Sequence, residues 1–354
     1  MVRYYNLILV AVFSLESLAL VPLKNGNDTD NLSLVNKAGG VLNLADVHNI
    51  PEYLVKMYEV NQKINNGIVR GNSERNPPVV HCFIGQATTK LNTVFFNLSA
   101  SDIGTEERIV SAQIRALIKT TVPDSPLPQR GRLVLYDGLS RAAVYSKAFQ
   151  GGGTRWYVFP ARALVKRWIF SPHLNHGVYL KVKSHVPRVK QSLLVDVNVK
   201  APRNKRPLLI VETDNTKVQG IKDITSLMSE TKKMTSRISR RPRAIVRDDG
   251  PCSKRSMKVH VRKHLNMNDV LIPRTFESFR CGGECTFPLD KSVHPTGHAV
   301  IRTILYSSGL DQGAGEPCCV PVKLRGLSVF VEKSPGAITI RSFQGMVVEE
   351  CGCR

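Results

Sequence analysis

At 354 residues the chain is long enough for two or three domains of roughly 100–200 residues each, which argues against a single one. Its 42% hydrophobic and 22% charged residues exclude wholesale disorder, collagen and coiled coil. Lys and Arg number 50 against 28 Asp and Glu, and the resulting net charge of +22 makes nucleic acid, heparin-like polyanions or acidic membrane the first suspects as partners.

The N-terminus bears on compartment. Arg3 precedes an apolar run from Leu7 to Phe13, with small residues at Ser17 and Ala19, the arrangement of a secretory signal spanning residues 1–19. The run is shorter than the roughly 20 residues a membrane helix needs. Secretion would deliver the chain to an oxidising space, and the Asn-x-Ser/Thr tripeptides at Asn27, Asn31 and Asn97 are the matching glycosylation acceptors.

Residues 20–80 are polar and Asn-rich, with one helix-period stretch from about Ile50 to Ile64 in which Pro51 occupies a first-turn position. It is expected to be a loosely packed helix. From Leu91 the pattern changes to runs of β-branched and aromatic residues at 93–98, 109–118, 132–136, 179–182, 193–199 and 208–211, separated by Pro, Gly and Asn. These predict a mainly antiparallel β domain over about 85–212. Trp156 to Phe170 breaks the rhythm, because Val158, Leu164, Val165 and Trp168 return at helical intervals.

Residues 213–243 lose apolar content and gather Lys232, Lys233, Arg237, Arg240, Arg241 and Arg243, an exposed basic linker. Processing proteases of the secretory pathway read an arginine at the cut and another four positions before it, each paired with a carboxylate-lined pocket. Two overlapping pairs meet that rule, Arg237 with Arg240 and Arg240 with Arg243, and the second is favoured because a cut before Ala244 leaves an unobstructed new terminus. The competing reading of the run is a solvated or heparan sulfate-binding charge cluster, and both can hold. Arg203-Asn204-Lys205-Arg206 also matches, but Pro207 and the apolar run after it mark the flank of a buried strand. From Ala244 onward the net charge is only +4, leaving +18 upstream.

Seven of the eight cysteines lie between Cys252 and Cys353, and Cys82 stands alone upstream, read as a buried free thiol rather than a tether. An odd number in an oxidising compartment leaves one cysteine for a second chain. Cys281 to Cys285 and Cys351 to Cys353, joined by two disulfides, would close an eight-residue ring through which a third could pass, and Gly283 and Gly352 remove side-chain bulk where it is most crowded. The neighbours Cys318 and Cys319 point to opposite sides of an extended chain, one inward and one toward a partner. A zinc cluster fits the adjacent pair poorly, and His294 and His298, four apart on a helix, lack the Glu of the zinc-protease motif. No metal, cofactor or catalytic residue is expected: the chain offers no nucleophile with a base, no phosphate loop and no paired carboxylates in a defensible context.

Residues 252–354 resemble the mature signalling domain of the transforming growth factor beta superfamily, nearest the bone morphogenetic protein and nodal branch. The resemblance rests on Cys281-x-Gly283-x-Cys285, Phe287-Pro288-Leu289, His298-Ala299, Cys318-Cys319-Val320-Pro321 and the terminal run from Met346 to Arg354. Upstream, residues 95–99, Trp156 to Trp168 and Asn175-His176-Gly177 resemble that branch's propeptide. The resemblance implies a cystine-knot domain of two β-hairpin fingers and one helix over 244–354, after a β-rich propeptide over 20–243. It implies disulfides Cys252–Cys319, Cys281–Cys351 and Cys285–Cys353, with Cys318 bonding its twin in a homodimer, or a heterodimer partner.

By the same resemblance Ile272, Ser328, Phe330 and Ile340 would form a convex patch for one class of serine/threonine kinase receptor. Leu289 and its neighbours would form a concave patch for the other, type II and type I receptors being the two classes. Asn266 and Asp269 stand where the family has tryptophans, so altered or reduced use of the type I receptor is expected. The helix after Pro295, with Ala299, Val300, Ile301, Ile304 and Leu305, would seek the other subunit's hairpins. A dimer that clusters receptors, with its own propeptide as a further partner and no nucleic acid, is the leading reading. A secreted cystine-knot antagonist or matrix-binding protein is the alternative, and an enzyme ranks last.

Overall fold

A computed structural model describes residues 50–65, 78–88, 93–98, 103–104, 107–121, 130–150, 153–184, 194–197, 200–214, 250–310, 313 and 315–354. The N-terminal part contains helix α1 (Glu52–Asn65), strands β1 (Val79–Ile84), β2 (Gln86–Ala87), β3 (Thr93–Phe95), β4 (Arg108–Thr121), β5 (Arg130–Asp137), β6 (Ala143–Gln150) and β7 (Gly153–Pro160), helix α2 (Arg162–Phe170), and strands β8 (Val178–Ser184), β9 (Leu194–Val197) and β10 (Leu208–Asp214). The C-terminal part contains β11 (Ser253–Arg255), β12 (Lys258–His260), α3 (Val261–Leu265), β13 (Val270–Ile272), β14 (Thr275–Glu277), β15 (Arg280–Gly282), α4 (Gly297–Ser307) and the long hairpin of β16 (Cys319–Ser334) and β17 (Ala337–Cys353). The chain is mainly β, a β-rich N-terminal part with a leading helix followed by a part of long hairpin, short strands and helices tied by three disulfides.

Two sheets build the N-terminal part. One runs β2-β3-β8-β5-β6; the other carries β1, β10, β4 and β7, with β9 also on β4. Their facing residues, among them Phe83, Phe96, Ile114, Leu133, Leu135 and Phe159, share one core with Leu164, Val165 and Trp168 of α2. The helical intervals read from Trp156 apply only from Arg162, because Trp156 to Pro160 is the end of β7.

Strand β1 was not expected. Its six residues Val-Val-His-Cys-Phe-Ile are all buried, so the run shows no alternation and no period to read. The burial has a topological cause: β1 pairs antiparallel with β10 on one side and with β17 on the other. The sheet order β13-β16-β17-β1-β10-β4-β7 is therefore continuous between the N- and C-terminal parts.

Helix α1 begins after Pro51 as expected but is not loosely packed. Leu54, Met57, Tyr58, Asn61 and Gln62 recur at helical spacing on one face, and that face is buried. It lies on the β16–β17 hairpin in a shared core with Val80, Cys82, Ile84, Leu208 and Ile210 of the N-terminal part and Ile272, Phe330, Ile338 and Ile340 of the C-terminal part. Each large apolar side chain so buried contributes about 1.5–3 kcal/mol.

Candidate functional site: the knotted hairpin and its cover

The knot sets the frame. Disulfides join Cys252 to Cys319, Cys281 to Cys351 and Cys285 to Cys353, with Cα–Cα distances of 5.4, 5.6 and 5.9 Å. The chain passes too close for side chains at its glycines: a Cβ on Gly283, which has φ +118°, would sit 2.5 Å from the Pro251 carbonyl oxygen, and one on Gly352 2.9 Å from that of Val293. Sulfurs of Cys252, Cys285 and Cys353 lie within 4.8 Å of one another, but all three are in disulfides and present no thiolate to a metal. His294, in left-handed conformation after the Lys291–Val293 turn, and His298, in α4, fall on separate elements rather than one helix.

Cys318 is exposed and carries a free thiol, while its neighbour Cys319 is bonded inward. Beside this region of the fold, α4 starts at Thr296, whose side chain accepts from the Ala299 N–H at 3.2 Å, and buries Ala299 and Thr303. Its other face is apolar and open: Ile301 is 57% exposed, and Ile304, Leu305 and Tyr306 also face solvent. Leu289 is half-buried against the knot.

The four residues of the expected convex patch come together, but not as a surface. Ile272, Ser328, Phe330 and Ile340 are at most 2% exposed. Tyr58 stacks on Phe330 with ring centroids 4.8 Å apart, and Leu54 and Met57 fill the space around Ile272 and Ile340. Burial pushes the Tyr58 phenol up to about 12 against the opposing Gln62 hydrogen bond, so it stays neutral under physiological conditions. At the end of α1, Asn65 donates to Ser328 Oγ (2.8 Å) and Ser342 Oγ (3.3 Å), which also bond each other at 2.8 Å. Gly326 makes room for this, since a Cβ there would lie 2.8 Å from Asn65 Oδ1. Sequence reasoning missed this cover because a helix's periodicity tells which face is apolar, not what it meets.

On the reverse face of the sheet, a polar cluster crosses the β1–β17 seam. Glu107, just before β4, accepts from His81 Nε2 (2.5 Å), Thr213 Oγ1 (2.6 Å) and Arg341 (3.0 Å), and His81 Nδ1 lies 3.2 Å from Thr339 Oγ1. Burial alone would raise the Glu107 carboxyl, but the hydrogen bond and charge of His81, the Thr213 hydroxyl and the Arg341 guanidinium hold it down at about 2. A second pair, Arg203 with Glu332, joins the turn before β10 to β16, which explains that basic run as a buried strand's flank.

Asn266 ends α3 with φ 54°, a left-handed position that asparagine tolerates better than a bulky side chain. Asn266 and Asp269 are exposed, as is Asn97. Arg240, Arg243, Asn27, Asn31 and residues 1–19 lie outside the described residues. Cys82 is buried on β1, where desolvation pushes its thiol far up from the ordinary range.

A three-disulfide knot holding a long hairpin and one helix defines the class: a cystine-knot growth factor domain. Residues 251–353 match the transforming growth factor beta like domain. Dorsalin-1 of Gallus gallus is 28% identical over 305 residues, covering 74% of this chain and 69% of its own. Bone morphogenetic protein 4 is 25% identical over 281 residues in Suncus murinus (73% and 66% covered) and 26% over 282 in Rattus norvegicus (73% and 65%). The chain spans about two thirds of the length of these relatives. Residues 251–353 thus form a domain of the transforming growth factor beta family, and the chain as a whole is similar to growth factors of the bone morphogenetic protein branch.

Proposed function

We propose that the protein is a secreted precursor, with a signal over 1–19 and a propeptide over 20–243, cut after Arg243 to release a disulfide-linked dimer that clusters cell-surface serine/threonine kinase receptors. The observation that carries this reading is the cover over Ile272, Ser328, Phe330 and Ile340, residues that the family resemblance assigns to receptor binding. A surface that apolar and continuous, if open, would mark a binding site. Here the N-terminal part takes the partner's place and keeps the patch out of water. Cleavage at Arg240 to Arg243 would leave this cover attached by non-covalent contacts alone, hence removable.

Cys318 is the bond to the twin chain, and the open face of α4 is the surface the twin covers. Two copies of each receptor patch on one dimer would raise the receptors' effective concentration. Leu289 belongs to the concave type I site, whose reduced use is proposed from Asn266 and Asp269; glycans sit on Asn27, Asn31 and Asn97, and heparan sulfate binds the basic linker. Secretion of the full chain from animal cells, followed by N-terminal sequencing and intact mass, tests the reading. A start at Ala244, a mass that halves on reduction and a Cys318→Ser form that does not halve are expected. An uncut monomer overturns both cleavage and dimerisation.

A further inference from the structure

The sheet β2-β3-β8-β5-β6 has an outer face of unusual charge. Leu133 and Leu135 of β5 and Leu180 of β8 point into the core, so strand alternation turns Arg132 and Tyr136 of β5, and Tyr179, Lys181 and Lys183 of β8, to the opposite side. The register sets Arg132 directly across from Lys183 and Tyr136 directly across from Tyr179. Arg132, Lys181 and Lys183 are exposed. The two tyrosine rings lie parallel with centroids 5.0 Å apart, and both lysines bend back over them: Nζ of Lys181 is 5.5 Å from the Tyr179 ring centre and that of Lys183 is 6.0 Å from the Tyr136 ring centre. Ring faces attract a cation at that range, which gathers two ammonium groups over one tyrosine pair.

The chain does not neutralise this charge. Like charges directly opposite each other on neighbouring strands destabilise a sheet, and Arg132 with Lys183 is such a pair. Among the described residues none of the three cations meets a carboxylate; Arg132 spends its Nε on the Ser146 hydroxyl at 2.8 Å. Residues 130–184 hold ten Lys and Arg against one acid, Asp137. That carboxylate is buried and already taken by Arg167 at 2.8 Å and the Ser140 hydroxyl at 2.6 Å. The repulsion is relieved only by an anion from outside.

The face also selects among anions. Of the exposed large apolar residues only Tyr145 lies on a strand of this sheet, and it shares the core side with Leu135, so the outer face offers nothing to insert into a lipid layer. The cations are spaced by the sheet itself, about 4.7–4.9 Å across strands and roughly 7 Å along one. An extended acidic peptide would turn every second carboxylate away from such a strip. A sulfated polysaccharide carries closely repeated anions along its whole length. We propose that the outer face of this sheet, centred on Arg132, Lys181 and Lys183 beside the Tyr136–Tyr179 pair, is a binding site for sulfated polysaccharide, separate from the basic run at 213–243. The site lies wholly in the N-terminal part and stays with it whether or not the chain is cut. It rests on the reading that the chain is secreted, where such polymers are met.

The test uses the secreted chain kept whole by Arg240→Ala with Arg243→Ala, with heparin as the probe and affinity measured over a range of salt. Replacing Arg132, Lys181 and Lys183 together by Gln is expected to weaken binding about tenfold and to lower the salt slope by about two to three released ions. Replacing Lys63, Lys166 and Lys291 by Gln removes the same charge from exposed positions on three other elements and should weaken binding less than about twofold. The first variant's urea midpoint should equal or exceed the parent's, because a like-charge pair is gone, which separates a lost site from a lost fold. Equal losses in the two variants overturn the site and leave only the diffuse attraction of a basic protein. Competition by acidic phospholipid vesicles or polyglutamate as strong as that by heparin overturns the choice of occupant. Retention of the chain inside the cells overturns the secreted reading, and the occupant with it, before any binding is measured.

Discussion

The two parts of the molecule solve the same problem by different means. The N-terminal part places two sheets and α2 around one apolar core with Trp168, Phe96 and Phe159 at its centre, and no described disulfide crosses it. The C-terminal part divides its apolar residues between a small cluster around Val261, Phe276 and Val329 and another around the knot. It replaces the missing core with three covalent links. The face that neither device covers is where the two parts meet, so the shared core under α1 belongs to both.

Removing one covalent link should have the largest effect. Cys285→Ala with Cys353→Ala opens a loop of 68 residues and should cost about 4–5 kcal/mol, read as a lowered urea midpoint. A small loss would mean that the clusters of the C-terminal part suffice. Trp168→Ala should cost about 3–5 kcal/mol in the N-terminal part while the C-terminal disulfides still form, checked by urea unfolding and by peptide mapping under non-reducing conditions.

Leu54→Ala attacks the shared core and should cost about 3 kcal/mol. Its signature is faster hydrogen exchange in both α1 and β17; a change confined to α1 would show that the cover is not coupled to the hairpin. The smallest effect is expected at Glu107→Gln, about 1–3 kcal/mol at neutral pH. Glu107 loses its proton near 4.5 when unfolded and near 2 when folded, so its stabilisation is complete above about 4.5 and is lost as pH falls through 2. The variant should lack that acid-linked loss while matching the wild type's slope above pH 5. An identical acid profile would remove Glu107 from the seam's energetics.

What could be read from residues alone was local. Pro51 and the helix-period stretch from Ile50 to Ile64 placed α1, and the strands around 93–95, 108–121, 130–137, 178–184 and 208–214 lay near their apolar runs. The strands at 143–150 and 153–160 escaped because polar and exposed positions interrupt them. β1 escaped for the opposite reason, being buried on both faces; the bounding Pro77-Pro78 and Gly85 were the available signal. The patch of Ile272, Phe330 and Ile340 was placed by resemblance, and nothing local reveals that α1 covers it, since pairing of residue 82 with residue 338 is a property of the folded chain.

The continuity of the sheet has one further consequence. A β17 parted from β1 becomes a bare edge, and its freed stretch Ala337-Ile338-Thr339-Ile340 carries neither charge nor proline. Such an edge templates unwanted strand addition, so a C-terminal part separated from β1 should differ in colloidal behaviour from the intact chain. Arg341 is the first charge beyond that stretch, a gatekeeper whose removal should show as aggregation during storage before it shows in any folding measurement.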